Sequence, residues 1–124
     1  MLKILVVEDE EQIRRILAEF LTKKGFEVVK AIGGEEAIRL LRSGLDMDLM
    51  ITDMKMPKVT GMDVLKEKKN LKNTVPVIIL TGSIGTERRL PELEEFGIGL
   101  DDVVVKPIDL FQLLDLVRKK LCIT

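Results

Sequence analysis

Five short apolar runs recur along the chain, each followed by a stretch with helical periodicity. This alternation limits the fold more than any other feature of the sequence. The runs cover residues 3–8, 26–31, 49–52, 75–81 and 102–106. Each is of strand length and rich in Val, Ile and Leu. Between them, residues 10–24 place Ile13, Ile16, Leu17, Phe20 and Leu21 on one helical face, and residues 35–42 do the same with Ala37, Ile38 and Leu41. Residues 61–69 present Val64 and Leu65 inward, and residues 109–121 align Leu110, Leu113, Leu114, Val117 and Leu121. A poorer helical stretch over 86–96 has Pro91 in its middle. Gly25, Gly33-Gly34, Ser43-Gly44 and Pro107 punctuate the pattern.

Five βα units predict an α/β fold with a parallel sheet covered on both faces and right-handed crossovers. The expected architecture is a flavodoxin-like (βα)5 doubly wound sheet in the order 2-1-3-4-5. Its switch point lies between strands one and three, and such sheets bind ligands at the carboxyl ends there. A length of 124 residues suits one domain over 1–124, with no output domain expected. Nothing marks a linker, an internal repeat or a low-complexity segment.

Acids gather at that expected switch point. Glu8-Asp9-Glu10 follows the first strand and Asp53 ends the third, with Pro57 and Gly61 shaping the next loop. Acids after a strand also suit the dipole of the following helix; a second carboxylate at a neighbouring strand end makes capping alone a poor account. Carboxylates that converge repel by about 4 kcal/mol per pair at 4 Å in an effective dielectric near 20. A divalent cation offsets that cost, and oxygen donors select a hard ion, Mg²⁺ or Mn²⁺. Two further strand ends add Thr81, before Gly82, and Lys106, before Pro107. A hydroxyl, a lysine, a metal and a free carboxylate together make a phosphoryl-transfer site.

Composition excludes several alternatives. The chain has no His, which removes Ser-His-Asp and Cys-His catalysis and any imidazole zinc site. The formal charge of −1 argues against direct nucleic-acid binding or a polybasic membrane patch. Four Phe without Trp or Tyr offer little for stacking bases or a flavin. Glu8-Asp9-Glu10 would repel the phosphate of a flavodoxin-type cofactor, and Lys55 occupies the second acid position of an Asp-x-Asp phosphatase. The single cysteine, Cys122, allows no intrachain disulfide and reads as a buried packing residue near the end of the last helix. No apolar run spans a membrane or makes a cleavable signal, so a cytoplasmic protein is expected, monomeric or weakly dimeric.

The ordered motifs make the whole chain resemble the receiver domain of two-component response regulators. They are Glu8-Asp9, Asp53 in Asp53-Met54-Lys55-Met56-Pro57 with Gly61 following, Thr81, and Lys106-Pro107. The resemblance implies that Asp53 accepts a phosphoryl group from a sensor histidine kinase or a histidine phosphotransfer protein. It implies Mg²⁺ held by Asp9, Asp53 and the Lys55 backbone carbonyl, with Glu8 acting mostly through a bound water. Thr81 and Lys106 would contact the phosphoryl group, and the altered conformation would signal to a downstream protein. Such a protein is not a conventional enzyme but promotes its own phosphorylation and slow dephosphorylation. The alternative is a receiver-fold interaction module that works unphosphorylated; its mark would be loss of an acid, Thr81 or Lys106, and none is lost. Three departures fall on the output face: Val103 replaces the usual aromatic, the interval from Thr81 to Lys106 is long, and Pro91 interrupts the fourth helix. The expected consequence is a switch that moves or orders the segment 82–99 without rotating an aromatic ring.

Overall fold

The structure, a computed structural model, describes residues 1–82 and 90–123. Five parallel strands form one sheet in the order β2-β1-β3-β4-β5, as the sequence pattern predicts. They are β1 (Lys3–Val7), β2 (Glu27–Ala31), β3 (Leu49–Asp53), β4 (Val77–Thr81) and β5 (Val103–Val105). The helices are α1 (Glu11–Lys23), α2 (Gly34–Arg42), α3 (Gly61–Asn70), α4 (Leu90–Glu94) and α5 (Leu110–Lys120), with one 3₁₀ turn at Leu100–Asp102.

Strand periodicity sorts the core into two halves. Leu5, Val7, Met50 and Ile79 face one side of the sheet, where Ala37, Leu41, Val64, Leu65 and Leu93 of α2, α3 and α4 cover them. Ile4, Val6, Leu49, Ile51, Ile78 and Leu80 face the other, against Leu17 and Leu21 of α1 and Leu113, Leu114 and Val117 of α5. All five residues of β3 and of β4 are buried, as strands covered on both faces require. Each large apolar side chain buried there contributes about 1.5–3 kcal/mol before entropy is counted.

Register carries the core into the site. Val7 pairs with Thr52, Asp53 with Leu80, and Thr81 with Val105. Glu8, just beyond β1, therefore falls level with Asp53, and Lys106, just beyond β5, lies two residues further out at the same end of the sheet, from where its long side chain reaches back.

Several sequence readings need correction. The first strand ends at Val7, one residue before Glu8, the third runs one residue further to include Asp53, and the fourth starts at Val77 rather than 75. Ile16 is exposed instead of facing the core, because none of the described elements covers that part of α1. Val105 is exposed too: β5 is an edge strand with a neighbour on one side. Cys122 is exposed, not packed, because α5 ends at Lys120 and the chain turns at Cys122 with φ 57°. The described part of α4 begins at Leu90, so Pro91 stands one residue into it. Much of the expected 82–99 switch segment, residues 83–89, lies outside the described residues.

Glycine fixes one joint behind the acceptor strand. The Gly61 N–H donates to the Met54 carbonyl at 3.0 Å as α3 begins, capped reciprocally by Thr60 and Asp63. A Cβ on Gly61 would lie 2.5 Å from the Asp53 carbonyl oxygen and 2.8 Å from the Met54 Cα. Both are backbone atoms, so nothing can swing aside. Gly61→Ala should lower unfolding stability by about 1–3 kcal/mol and shift the Asp53 amide resonance. Urea unfolding and amide spectra check this; an unchanged midpoint with an unmoved Asp53 amide would refute it.

Candidate functional site

The site forms where β1, β3, β4 and β5 end. Glu8 follows β1 and is fully buried. Its Oε2 accepts the Glu10 N–H at 3.2 Å, while Glu10, the residue preceding α1, makes no side-chain cap. Glu8 therefore points into the sheet end and does not cap the helix through its first turn. Asp53, the last residue of β3, is also buried, and the Lys55 N–H donates to its Oδ1 at 3.3 Å. Opposite both acids, the Lys106 ammonium donates to Glu8 Oε1 at 2.7 Å and to Asp53 Oδ2 at 3.1 Å. The Lys106 N–H donates to the Thr81 carbonyl at 2.7 Å, which ties the ends of β4 and β5 together. The Lys106–Pro107 peptide is cis.

Carboxylate oxygens of Glu8, Asp9 and Asp53 lie within 4.8 Å of one another, the one such cluster among the described residues. Among the described residues one ammonium, that of Lys106, pairs with this group, so the acids outnumber their cation. Burial pushes the Glu8 carboxyl up to about 7, against the pull of the Lys106 hydrogen bond and the Glu10 N–H; the charge on Asp53 pushes it further up. Burial draws the Lys106 amine down, but its hydrogen bonds to Glu8 and Asp53 outweigh this and hold it above the ordinary lysine value. An all-oxygen donor set with surplus negative charge suits a hard divalent ion.

The structure thus brings together Glu8, Asp9, Asp53, Thr81 and Lys106, with Lys55 on the adjoining loop. Lys55 is exposed and its side chain lies at the surface. Thr81 is buried at the end of β4. Val103, standing where an aromatic was expected, is partly buried against the α2–α3–α4 side of the core.

Some contributors escaped the sequence reading. Arg14 on α1 donates from Nη1 to the carbonyls of Glu8 at 3.0 Å and Asp9 at 3.4 Å, bracing the acidic loop. A cation in the first turn of a helix opposes the dipole, which was the available hint. Gly34 permits the loop after β3 to pack on α2: a Cβ there would lie 2.4 Å from the Val59 carbonyl oxygen. Only a contact distant in sequence reveals that need.

Fold and site together define a doubly wound α/β protein with an acidic, lysine-braced pocket at its switch point. The chain belongs to the response regulator receiver domain family, whose sequence profile matches residues 4–118. The response regulator RR06 of Streptococcus pneumoniae is 38% identical over 117 residues, 94% of this chain and 52% of that protein. The chain spans about half the length of the curated relatives it matches. Among solved structures, a receiver domain protein from Clostridium thermocellum aligns with a TM-score of 0.85 and 32% identity, covering 98% of this chain and 95% of that one. The response regulator TrrA of Thermotoga maritima, solved with Mg²⁺-BeF, aligns with a TM-score of 0.81 and 35% identity, covering 97% and 99%. Phosphotransfer is the function of this family, and its members use Mg²⁺ at an acidic pocket.

Metal addition gives a direct check on the cluster. Mg²⁺ at about ten times its Kd should stabilise the folded chain by about 1.4 kcal/mol, a rise in Tm of a few degrees. Asp9→Asn should remove most of that rise and Glu8→Gln less of it. Equal Mg²⁺-dependent shifts in all three proteins would contradict the assignment.

Proposed function

We propose that this chain accepts a phosphoryl group on Asp53 from a partner phosphohistidine and relays the change to a downstream protein. One observation carries the reading: Glu8, Asp9 and Asp53 converge at one end of the sheet, with the Lys106 ammonium 2.7 Å from Glu8 and 3.1 Å from Asp53. Asp9, Asp53 and the Lys55 backbone carbonyl would hold Mg²⁺, with Glu8 contributing mostly through water. Bound there, the ion would offset the negative charge that acids and phosphoryl oxygens bring together.

The remaining roles belong to the chain. An Asp53 carboxylate oxygen attacks phosphorus, the P–N bond to the donor imidazole breaks, and the imidazole nitrogen keeps the electron pair and takes a proton. Burial holds the attacking carboxylate in place with little solvent to reorganise. Lys106, already beside Asp53 Oδ2, pairs with the phosphoryl charge once it arrives. The Thr81 hydroxyl donates to a phosphoryl oxygen and draws the end of β4 with it.

The partner would approach beside Lys106. Ile13, Ile16, Leu17, Pro107, Ile108 and Leu110 line an apolar cleft of about 220 Å³ that adjoins Lys106, and the nearby Phe111 is exposed. Lys106 lines the cleft and also pairs with Asp53, so helices of a sensor histidine kinase or phosphotransfer protein that rest on it would carry their histidine toward Asp53.

Incubation with a small acyl phosphate and Mg²⁺, read by intact mass and peptide mapping, tests the proposal. One phosphoryl group should appear on Asp53, be lost in Asp53→Asn and require Mg²⁺. Lys106→Ala should still be phosphorylated but should show smaller amide-shift changes on modification. No phosphorylation under any donor would favour an interaction module that works unmodified.

Lys55 supplies a separate expectation. Its exposed side chain leaves from the rim of the pocket, where it would cover the path of an attacking water. Lys55→Asn should therefore speed loss of the phosphoryl group at fixed Mg²⁺; an unchanged or slower decay would remove that role.

A further inference from the structure

A second cleft, of about 420 Å³, opens at the other end of the sheet from Asp53, between the end of α3, the start of β4 and the segment after α4. Lys68 lines it and is 7% exposed. Local sequence explains its burial. The helix α3 closes with Lys72 in the left-handed conformation at φ 57°, with Asn73 N–H donating to the Lys68 carbonyl and Lys72 N–H to Lys69. This turn folds residues 73–76 back over Lys68. The Lys68 ammonium then donates to the Asn73 carbonyl at 2.9 Å. Among the described residues it has no carboxylate partner within 4 Å, whereas Lys120 in the same cleft pairs with Asp102.

An ammonium has three donor hydrogens and gains most from a carboxylate or water. Here burial alone lowers the amine to about 8. The charged groups around the cleft are Lys69 and Lys72 from α3 and its turn, Glu95 after α4, Asp102 before β5 and Lys120 of α5. Among the described residues amines outnumber acids, so the cleft favours an anion.

We propose that Lys68 is an acylation site for small anionic acyl donors such as an acyl phosphate. The donor's phosphate rests among the amines of Lys69 and Lys72, and the Lys68 nitrogen attacks the acyl carbon. The C–N bond forms, the bond from the acyl carbon to the bridging oxygen breaks, and inorganic phosphate leaves with that electron pair. The proton displaced from nitrogen passes to the phosphate or to water. The product amide keeps one N–H for the Asn73 carbonyl and removes a buried charge that has no acid partner among the described residues. Attack at phosphorus by Asp53 and attack at carbon by Lys68 then fall at opposite ends of the sheet and do not compete for space.

Rates follow from the free-amine fraction. At pH 7.5 an amine with a pKa near 8 is about one-quarter neutral, against about one in a thousand for an ordinary lysine. A less basic nitrogen is a weaker nucleophile, as with thiols. The net expectation is about a tenfold advantage for Lys68 over the exposed Lys23 of α1.

Limiting acetyl phosphate on the whole chain without Mg²⁺, followed by peptide mass quantification at each lysine, tests this. At pH 7.5 Lys68 should be acetylated about tenfold faster than Lys23, and the ratio should fall to about two or below at pH 10.5. The paired substitution Lys69→Gln and Lys72→Gln should reduce the Lys68 rate with acetyl phosphate but not with a small neutral acetylating reagent. Labelling of Lys68 no faster than Lys23 at pH 7.5, or a ratio unchanged at pH 10.5, would overturn the proposal.

Discussion

The Lys106 ammonium between Glu8 and Asp53 is the contact on which the rest of the site depends. Two carboxylates about 4 Å apart in a partly desolvated pocket repel by roughly 4 kcal/mol at an effective dielectric near 20. The lysine offsets that repulsion from one point, 2.7 Å from Glu8 and 3.1 Å from Asp53. Its own position is set by backbone: β5 pairs with β4, and the Lys106 N–H meets the Thr81 carbonyl. Sheet register is therefore electrostatic geometry. A slip of one residue in β5 would turn the ammonium to the other face of the sheet and leave both acids uncompensated.

Among the described residues, Lys106 is the one cation that pairs with a carboxylate of this cluster, and it meets Glu8 and Asp53 but not Asp9, so the pocket is left short of positive charge. Burial is the main cause of the raised Glu8 carboxyl, with the Asp53 charge adding to it, and the deficit suits such a pocket to a divalent ion. A pocket already holding its lysine and its acids in place needs little rearrangement when a phosphoryl group adds charge. On the proposed function, the first groups to respond would be those joined to it by a single side chain or strand end, Lys106 and Thr81.

The sequence made the central strands legible, because β1, β3 and β4 are covered on both faces and so become unbroken apolar runs. The site was legible for a related reason: charged residues immediately after such runs must emerge together at one end of a parallel sheet. Edge positions were harder. Periodicity shows which face of α1 holds Ile16, but only the completed packing shows that it stays exposed. The same holds for Val105 on the edge strand and for Cys122 beyond α5. Gly34 and Gly61 are needed because distant backbone comes too close for a Cβ, which no local pattern encodes. Lys68 sits in a run of charged residues that reads as a solvated face, and the turn at Lys72 and Asn73 is what buries it.

The central claim is that the lysine now joining Glu8 and Asp53 is the group that receives the phosphoryl charge. A crystal structure with Mg²⁺ and beryllofluoride, a mimic of the phosphoryl group, tests this most directly. The account predicts beryllium on an Asp53 carboxylate oxygen, fluorine atoms on the Lys106 ammonium and the Thr81 hydroxyl, and the ion against Asp9 and the Lys55 carbonyl. Beryllofluoride on another residue, or a Lys106 ammonium that stays on Glu8 and makes no contact with fluorine, would contradict it.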